Sequence, residues 1–244
     1  MGFEIAAKNL GLNTLLETNP KDNLSIAKQE TLNDTLKTMS SYVNAIILEH
    51  PDECVVFNNI KNINIPIINA GWGNFQHPTQ ALIDLYTFQN TFIDLNNIKL
   101  AIVGDPNTRT AKSIFELAFR FNMSINFIYP NIFNYNIYNY NTPVNKTIAN
   151  SKEEFQNAVK DSDILYYSNF TNTIVNNEKN NIYNNYYLPL SFLKQYDIKI
   201  YSPLPRHPNE MDLDADNTQY QLSFYGIRNS VYLKMALIHS ILNS

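Results

Sequence analysis

Short, nearly continuous apolar runs alternate along this chain with longer stretches in which apolar residues recur at three- and four-residue spacing. The runs at 45–48, 65–69, 99–103, 125–129, 164–167 and 199–202 predict short buried strands. The stretches 3–10, 29–41, 78–88, 110–121, 153–159, 188–193 and 229–242 predict helices. In 29–41, Leu32, Leu36 and Met39 share one face, and Asn33 and Asp34 point away from it. Apolar strands alternating with helices predict an α/β protein of parallel sheets covered on both faces, doubly wound. An Asn-rich stretch at 87–97 reads as the boundary between two such units. Polar punctuation falls just after the strands, at Glu49-His50, 74–80, 105–109, Ser168-Asn169 and 203–206. Those are the carboxyl ends, where open parallel sheets hold their ligands.

Composition narrows the class. The chain has 244 residues, 44% of them hydrophobic, enough for a sizeable core. A net charge of -4 argues against nucleic acid, because phosphate backbones call for clustered Lys and Arg. No apolar run reaches the roughly eighteen residues that span a membrane. Residues 1–16 are amphipathic, carry Glu4 and Lys8, and lack the form of a signal peptide. The single cysteine, Cys54, fits a reducing compartment and reads as a packing residue, so a cytoplasmic location is expected. Residues 131–141 are only Asn, Tyr, Ile and Phe and read as a surface insertion. The chain has no Gly-x-Gly-x-x-Gly and no Walker pattern, which weighs against a nucleotide-binding module.

The most telling run is His77-Pro78-Thr79-Gln80, after a Gly71-Trp72-Gly73-Asn74 turn and ahead of Ala-Leu-Ile-Asp-Leu-Tyr-Thr. It puts an imidazole and a carboxamide at a helix start, where free N–H groups and the positive dipole end favour an anion. The four residues also fit a plain cap with Pro in the first turn.

With its neighbours the run resembles the signature of aspartate carbamoyltransferase catalytic chains, within the aspartate/ornithine carbamoyltransferase family. Further stretches fall in order: Gly2-Phe3-Glu4, Lys28-Gln29-Glu30-Thr31, Gly104-Asp105 with Arg109-Thr110, Pro203-Leu204-Pro205-Arg206, and the terminal helix. The resemblance implies two carbamoyltransferase-type domains. One, at 1–90, is for carbamoyl phosphate and another, at 91–226, for L-aspartate, with a helix at 227–244 returning to the first. It implies transfer of a carbamoyl group to L-aspartate in pyrimidine biosynthesis, without metal or organic cofactor. It also implies a homotrimer, or an assembly with a related chain, whose sites lie between subunits. By the resemblance His77 donates to the carbamoyl oxygen and Gln80 accepts from the carbamoyl NH₂. Arg109 holds a carboxylate in a bidentate fork, Lys28 reaches an anion from a neighbouring chain, and the backbone around Leu204 contacts the reacting groups. Arg206 is expected to form a surface ion pair with Glu210 or Asp212 and to stay outside the catalytic set.

Three departures from the family pattern stand beside these matches. The Ser-Thr-Arg-Thr-Arg phosphate loop that precedes the counterpart of Gly2-Phe3-Glu4 is not in this sequence. Glu49 stands where the family has Arg before His-Pro; at ~4 Å from a phosphate and an effective dielectric of ~20 it costs about 4 kcal/mol. Asn169 stands for the Arg expected after 164–167, giving hydrogen bonds but no charge to a second substrate carboxylate. The expectation is therefore a homologue whose transfer to L-aspartate is impaired or lost, a pseudoenzyme in the limit. The alternatives are an active enzyme whose chain is truncated here and a carbamoyltransferase with another acceptor.

Overall fold

The computed structural model describes residues 1–18, 30–133, 144–168, 170, 176–206 and 209–243, with only the backbone described at 176–180. They divide into two compact units, one of Met1–Thr79 with Arg228–Ser244, the other of Gln80–Ile227.

The first unit holds α1 (Gly2–Asn9), α2 (Leu32–Ser40), β1 (Ile46–His50), α3 (Glu53–Asn59) and β2 (Ile67–Trp72). It also takes the part of the last helix, α9 (Ser223–Leu242), from Arg228 onward. β1 and β2 pair in parallel, Ile46 opposite Ile67 and Leu48 opposite Asn69, with the register shifting before His50 meets Trp72. Side chains of a strand alternate between its faces, and β1 alternates half-buried and exposed positions accordingly. Ala6, Ala7, Ile68 and Ile238 form the fully buried centre, flanked by Phe3, Leu10, Met235 and Leu237. Thr31 caps α2 by accepting from Asp34 N at 3.2 Å. Asn33 does not simply face water: its Nδ2 donates to the Asn59 carbonyl at 2.6 Å, tying α2 to the end of α3. α3 is a helix the apolar spacing does not announce. Asp52 caps it, its Oδ1 accepting from Cys54 N at 2.8 Å and Val55 N at 3.2 Å. Cys54 then falls on the outer face and is exposed, which corrects its reading as a packing residue.

The second unit carries most of α4 (Pro78–Thr91), then β3 (Lys99–Val103), α5 (Arg109–Arg120), β4 (Ser124–Tyr129), β5 (Asn145–Ile148) and α6 (Lys152–Val159). β6 (Ile164–Tyr167), α7 (Asn176–Tyr186), α8 (Leu190–Tyr196), β7 (Lys199–Tyr201), a 3₁₀ turn at Leu213–Asn217 and the start of α9 follow. The sheet is parallel throughout, in the order β5-β4-β3-β6-β7. The chain winds outward from β3 to β5, returns to β6 beside β3, and winds to β7. That reversal makes the switch point of a doubly wound sheet at the ends of β3 and β6. Ile164, Leu165, Tyr166 and Tyr167 are all buried, as strands covered on both faces require. Helices and strands supply one continuous core that includes Phe88, Ile102, Ile114, Ile128, Phe155 and Leu193. β5 and α7 were not legible from the apolar pattern, being rich in Asn and other polar residues. Among the described residues no helix is long and apolar enough to cross a membrane.

Candidate active site

In the first unit the chain leaves β2 through a turn that fixes where α4 starts. Gly73 N donates to the His50 carbonyl at 2.8 Å, and Trp72 N to the Gln76 carbonyl at 3.3 Å. Trp72 Nε1 reaches the Leu48 carbonyl at 3.0 Å, and Phe57 packs edge-on against both Trp72 and Phe75. Gly73 has φ +48, and a Cβ built on it would lie 1.7 Å from Glu53 Oε2 and 2.9 Å from Glu53 N, so glycine is favoured there. The same oxygen accepts from Asn74 N at 3.2 Å. His77, half-buried, ends this turn and precedes Pro78, its Nδ1 3.4 Å from Thr79 Oγ1. Glu49 lies on an exposed position of β1, one residue before the carbonyl that anchors Gly73.

In the second unit Gln80 stands in the first turn of α4, and Nε2 donates to Asp84 Oδ1 at 2.7 Å. Asp84 is wholly buried and also accepts from Tyr166 OH at 2.8 Å and Tyr201 OH at 2.5 Å. Burial pushes its carboxyl up to about 7, against the three hydrogen bonds from Tyr201, Gln80 and Tyr166, which favour the ionised form. Burial likewise raises both tyrosines, with the Asp84 charge adding to it. Thr110, at the start of α5, hydrogen-bonds Tyr166. Asp84 does not stand out in the sequence pattern. The available signal was a carboxylate four residues after Gln80 in an otherwise apolar run, a helical spacing that lets the two side chains meet.

The switch point gathers the remaining described candidates. β3 runs into Gly104, where φ is +116, and Asp105 closes the loop by accepting from Asn107 N at 2.9 Å. Thr108 caps α5 through Ala111 N at 3.2 Å, leaving Arg109, half-buried, as the first residue of the helix. A cation at a helix start opposes the dipole and so invites an anion. Ser168, after β6, donates to the carbonyls of Val103 and Asp105 at 3.2 Å each, locking the two strand ends together. Leu204, after β7, sits in the left-handed region with φ +41. Its loop is held by Arg206, which forks onto Asp216 with contacts of 2.6 and 2.5 Å and stacks over Phe224 at 5.2 Å. The ion pair is partly buried and its partner is Asp216, which corrects the expectation of a surface pair with Glu210 or Asp212. Arg206 holds Asp216 below the usual carboxylate range. The second unit thus places Arg109, Ser168 and Leu204 at the carboxyl ends of three adjacent strands. Lys28 and Asn169 lie outside the described residues. Among the described residues no cluster of His, Cys, Asp or Glu is arranged to hold a metal ion.

Comparison with known proteins supplies the family. Residues 1–90 match the carbamoyl-phosphate binding domain of aspartate/ornithine carbamoyltransferases, and residues 96–241 match their aspartate/ornithine binding domain. An aspartate carbamoyltransferase catalytic subunit of Picrophilus torridus is 33% identical over 99% of this chain and 80% of its own length. A ureidoglycine carbamoyltransferase of Rubrobacter xylanophilus is 30% identical over the whole chain and 77% of its own length. Among solved structures, the catalytic subunit of M. jannaschii aspartate transcarbamoylase superposes with a TM-score of 0.87 at 29% identity, over 99% of this chain and 80% of that one. The Trypanosoma cruzi enzyme in complex with carbamoyl phosphate and aspartate gives 0.82 at 25% identity, over 98% and 78%. This chain belongs to the aspartate/ornithine carbamoyltransferase family.

Proposed function

We propose that this protein is an aspartate carbamoyltransferase-like member of the pyrimidine pathway that reads a carbamoyl group with His77 and Gln80 and transfers it to L-aspartate poorly or not at all. Transfer of a carbamoyl group to an amine needs no protein nucleophile. It needs two anions held together and charge stabilised on the carbonyl oxygen and the leaving phosphate. His77 donates to the carbamoyl oxygen, Gln80 accepts from the carbamoyl NH₂, and Arg109 forks onto a substrate carboxylate. Lys28 reaches an anion from a neighbouring chain of a trimer, and the backbone at Leu204 lines the reacting groups. The observation that carries the impaired reading is a carboxylate, Glu49, on an exposed position at the end of β1, where the family pattern has an arginine. Asn169 adds a second lost positive charge.

A second reading is favoured by the similarity to a ureidoglycine carbamoyltransferase. Ureidoglycine has one carboxylate where aspartate has two, and a neutral Asn169 suits an acceptor lacking the second. The test is product formation by the purified protein with carbamoyl phosphate and each acceptor in turn. Little carbamoyl aspartate supports the first reading, and rapid turnover with ureidoglycine alone supports the second. Robust carbamoyl aspartate production overturns both.

A further inference from the structure

A fully buried carboxylate, one helical turn from Gln80, has no part in the proposed transfer. Asp84 accepts from Gln80 Nε2 at 2.7 Å and from Tyr201 OH on one oxygen, and from Tyr166 OH at 2.8 Å on the other. A carboxamide has a donor end and an acceptor end of nearly the same shape, so the end presented to a ligand decides what it can read. Above about pH 7, where Asp84 is ionised, its carboxylate only accepts. It therefore takes the NH₂ end of Gln80 and leaves Oε1 as the end this network does not hold.

The two tyrosines keep the carboxylate in place. Tyr166 and Tyr201 stack with ring centroids 5.7 Å apart, and Phe88 meets Tyr201 edge-on at 5.3 Å. The Tyr201 hydroxyl occupies space left by Gly226, where a Cβ would come within 2.7 Å of it. Asp84, Tyr166 and Tyr201 come from α4, β6 and β7, so three elements converge on the polarity of one amide.

We propose that Asp84 is a positioning residue that sets the direction of the Gln80 carboxamide, so that the helix start presents a carbonyl acceptor and selects a carbonyl compound bearing NH₂ over one bearing a methyl group. The proposal rests on the reading that Gln80 faces the carbamoyl group. Carbamoyl phosphate and acetyl phosphate separate the two cases, since they share the phosphate and the carbonyl and differ in NH₂ against CH₃. Inorganic phosphate is the control that Gln80 does not read.

The experiment measures binding of the three ligands to wild type and to Asp84→Asn, whose own amide can offer Gln80 either a donor or an acceptor. The expected result is that preference for carbamoyl over acetyl phosphate falls about tenfold, the worth of one lost hydrogen bond, while phosphate affinity stays within about twofold. Unchanged preference in a folded variant overturns the proposal. Where the variant does not fold, or wild type binds neither acyl phosphate, exchange of the Gln80 side-chain NH₂ protons in ¹⁵N-labelled wild type decides it. The signal is identified by its loss in Gln80→Glu. Protection of about a hundredfold over free glutamine supports the anchored amide, and exchange at the free rate overturns it. Failure of wild type to bind carbamoyl phosphate, with the amide protected, sinks the carbamoyl reading and leaves the positioning role intact.

Discussion

The two parallel sheets are covered very differently. β3 and β6 are buried on both faces along nearly their whole length, inside a core that also takes in β4 and β7. β1 alternates half-buried and exposed residues, and among the described residues the buried cluster of the first unit centres on Ala6, Ala7, Ile68 and Ile238. The two units therefore set their candidate residues in different ways. The second fixes Gln80, Arg109 and Leu204 through a deep core, a buried polar network and a forked ion pair. The first fixes His77 through a tight turn, a handful of backbone hydrogen bonds and one glycine at positive φ.

Truncations separate the two mechanisms. The largest effect is expected from Ile164→Ala at a site with no exposed surface, about 3–4 kcal/mol lost in chemical denaturation. The matching change on β1, Ile47→Ala, removes a side chain that is 38% exposed and should cost under about 0.5 kcal/mol. Equal losses at both positions would break the contrast.

Asp84→Ala comes next, because it strands the Gln80 amide and two buried hydroxyls; a loss of about 3 kcal/mol is expected. Its companion is the pH dependence. Burial pushes Asp84 up to about 7 in the folded protein from the ordinary aspartate value of 3.8, so between these limits the folded state holds a proton that the unfolded state has released. Stability contributed by this group is thus greatest below about pH 4, falls as pH rises towards 7, and levels off above it. In Asp84→Asn that slope should flatten, as read from denaturation midpoints across the range.

Smaller again is Gly73→Ala in the first unit, where positive φ and the Glu53 carboxylate both oppose a methyl group. A loss of about 1–2 kcal/mol is expected. Pairing it with Glu53→Ala removes the carboxylate but not the Glu53 backbone N, 2.9 Å from the built Cβ, so only part of that loss should be recovered.

Where a strand is a continuous apolar run ended by a turn residue, its place can be read from the sequence. β3 ends before Gly104 and β6 before Ser168, and both bounds coincide with the predicted 99–103 and 164–167. The start of α4 at Pro78 and the start of α5 beside Arg109 follow from the same punctuation. α3 escaped because seven residues give too short a period, and its signal was the Asp52 cap. The turn was legible in Gly71–Asn74, but the reason for Gly73 lies in Glu53, twenty residues earlier. Asp84 was the hardest to see. Its partners stand 82 and 117 residues away, and only the folded sheet brings Tyr166 and Tyr201 to it. Arg206 likewise finds Asp216, ten residues on, because the 3₁₀ turn at Leu213–Asn217 brings that carboxylate back to the loop.

The proposed function has His77 and Gln80 reading a carbamoyl group while Glu49 and Asn169 stand where the family pattern has arginines. Initial rates with carbamoyl phosphate and L-aspartate, compared between wild type and Glu49→Arg/Asn169→Arg, test it most directly. Little product is expected from wild type and at least about a tenfold gain in the double variant, the worth of even one of its two restored charged contacts in transition-state binding. Ready production of carbamoyl aspartate by wild type, with no gain on restoring the two arginines, would contradict it.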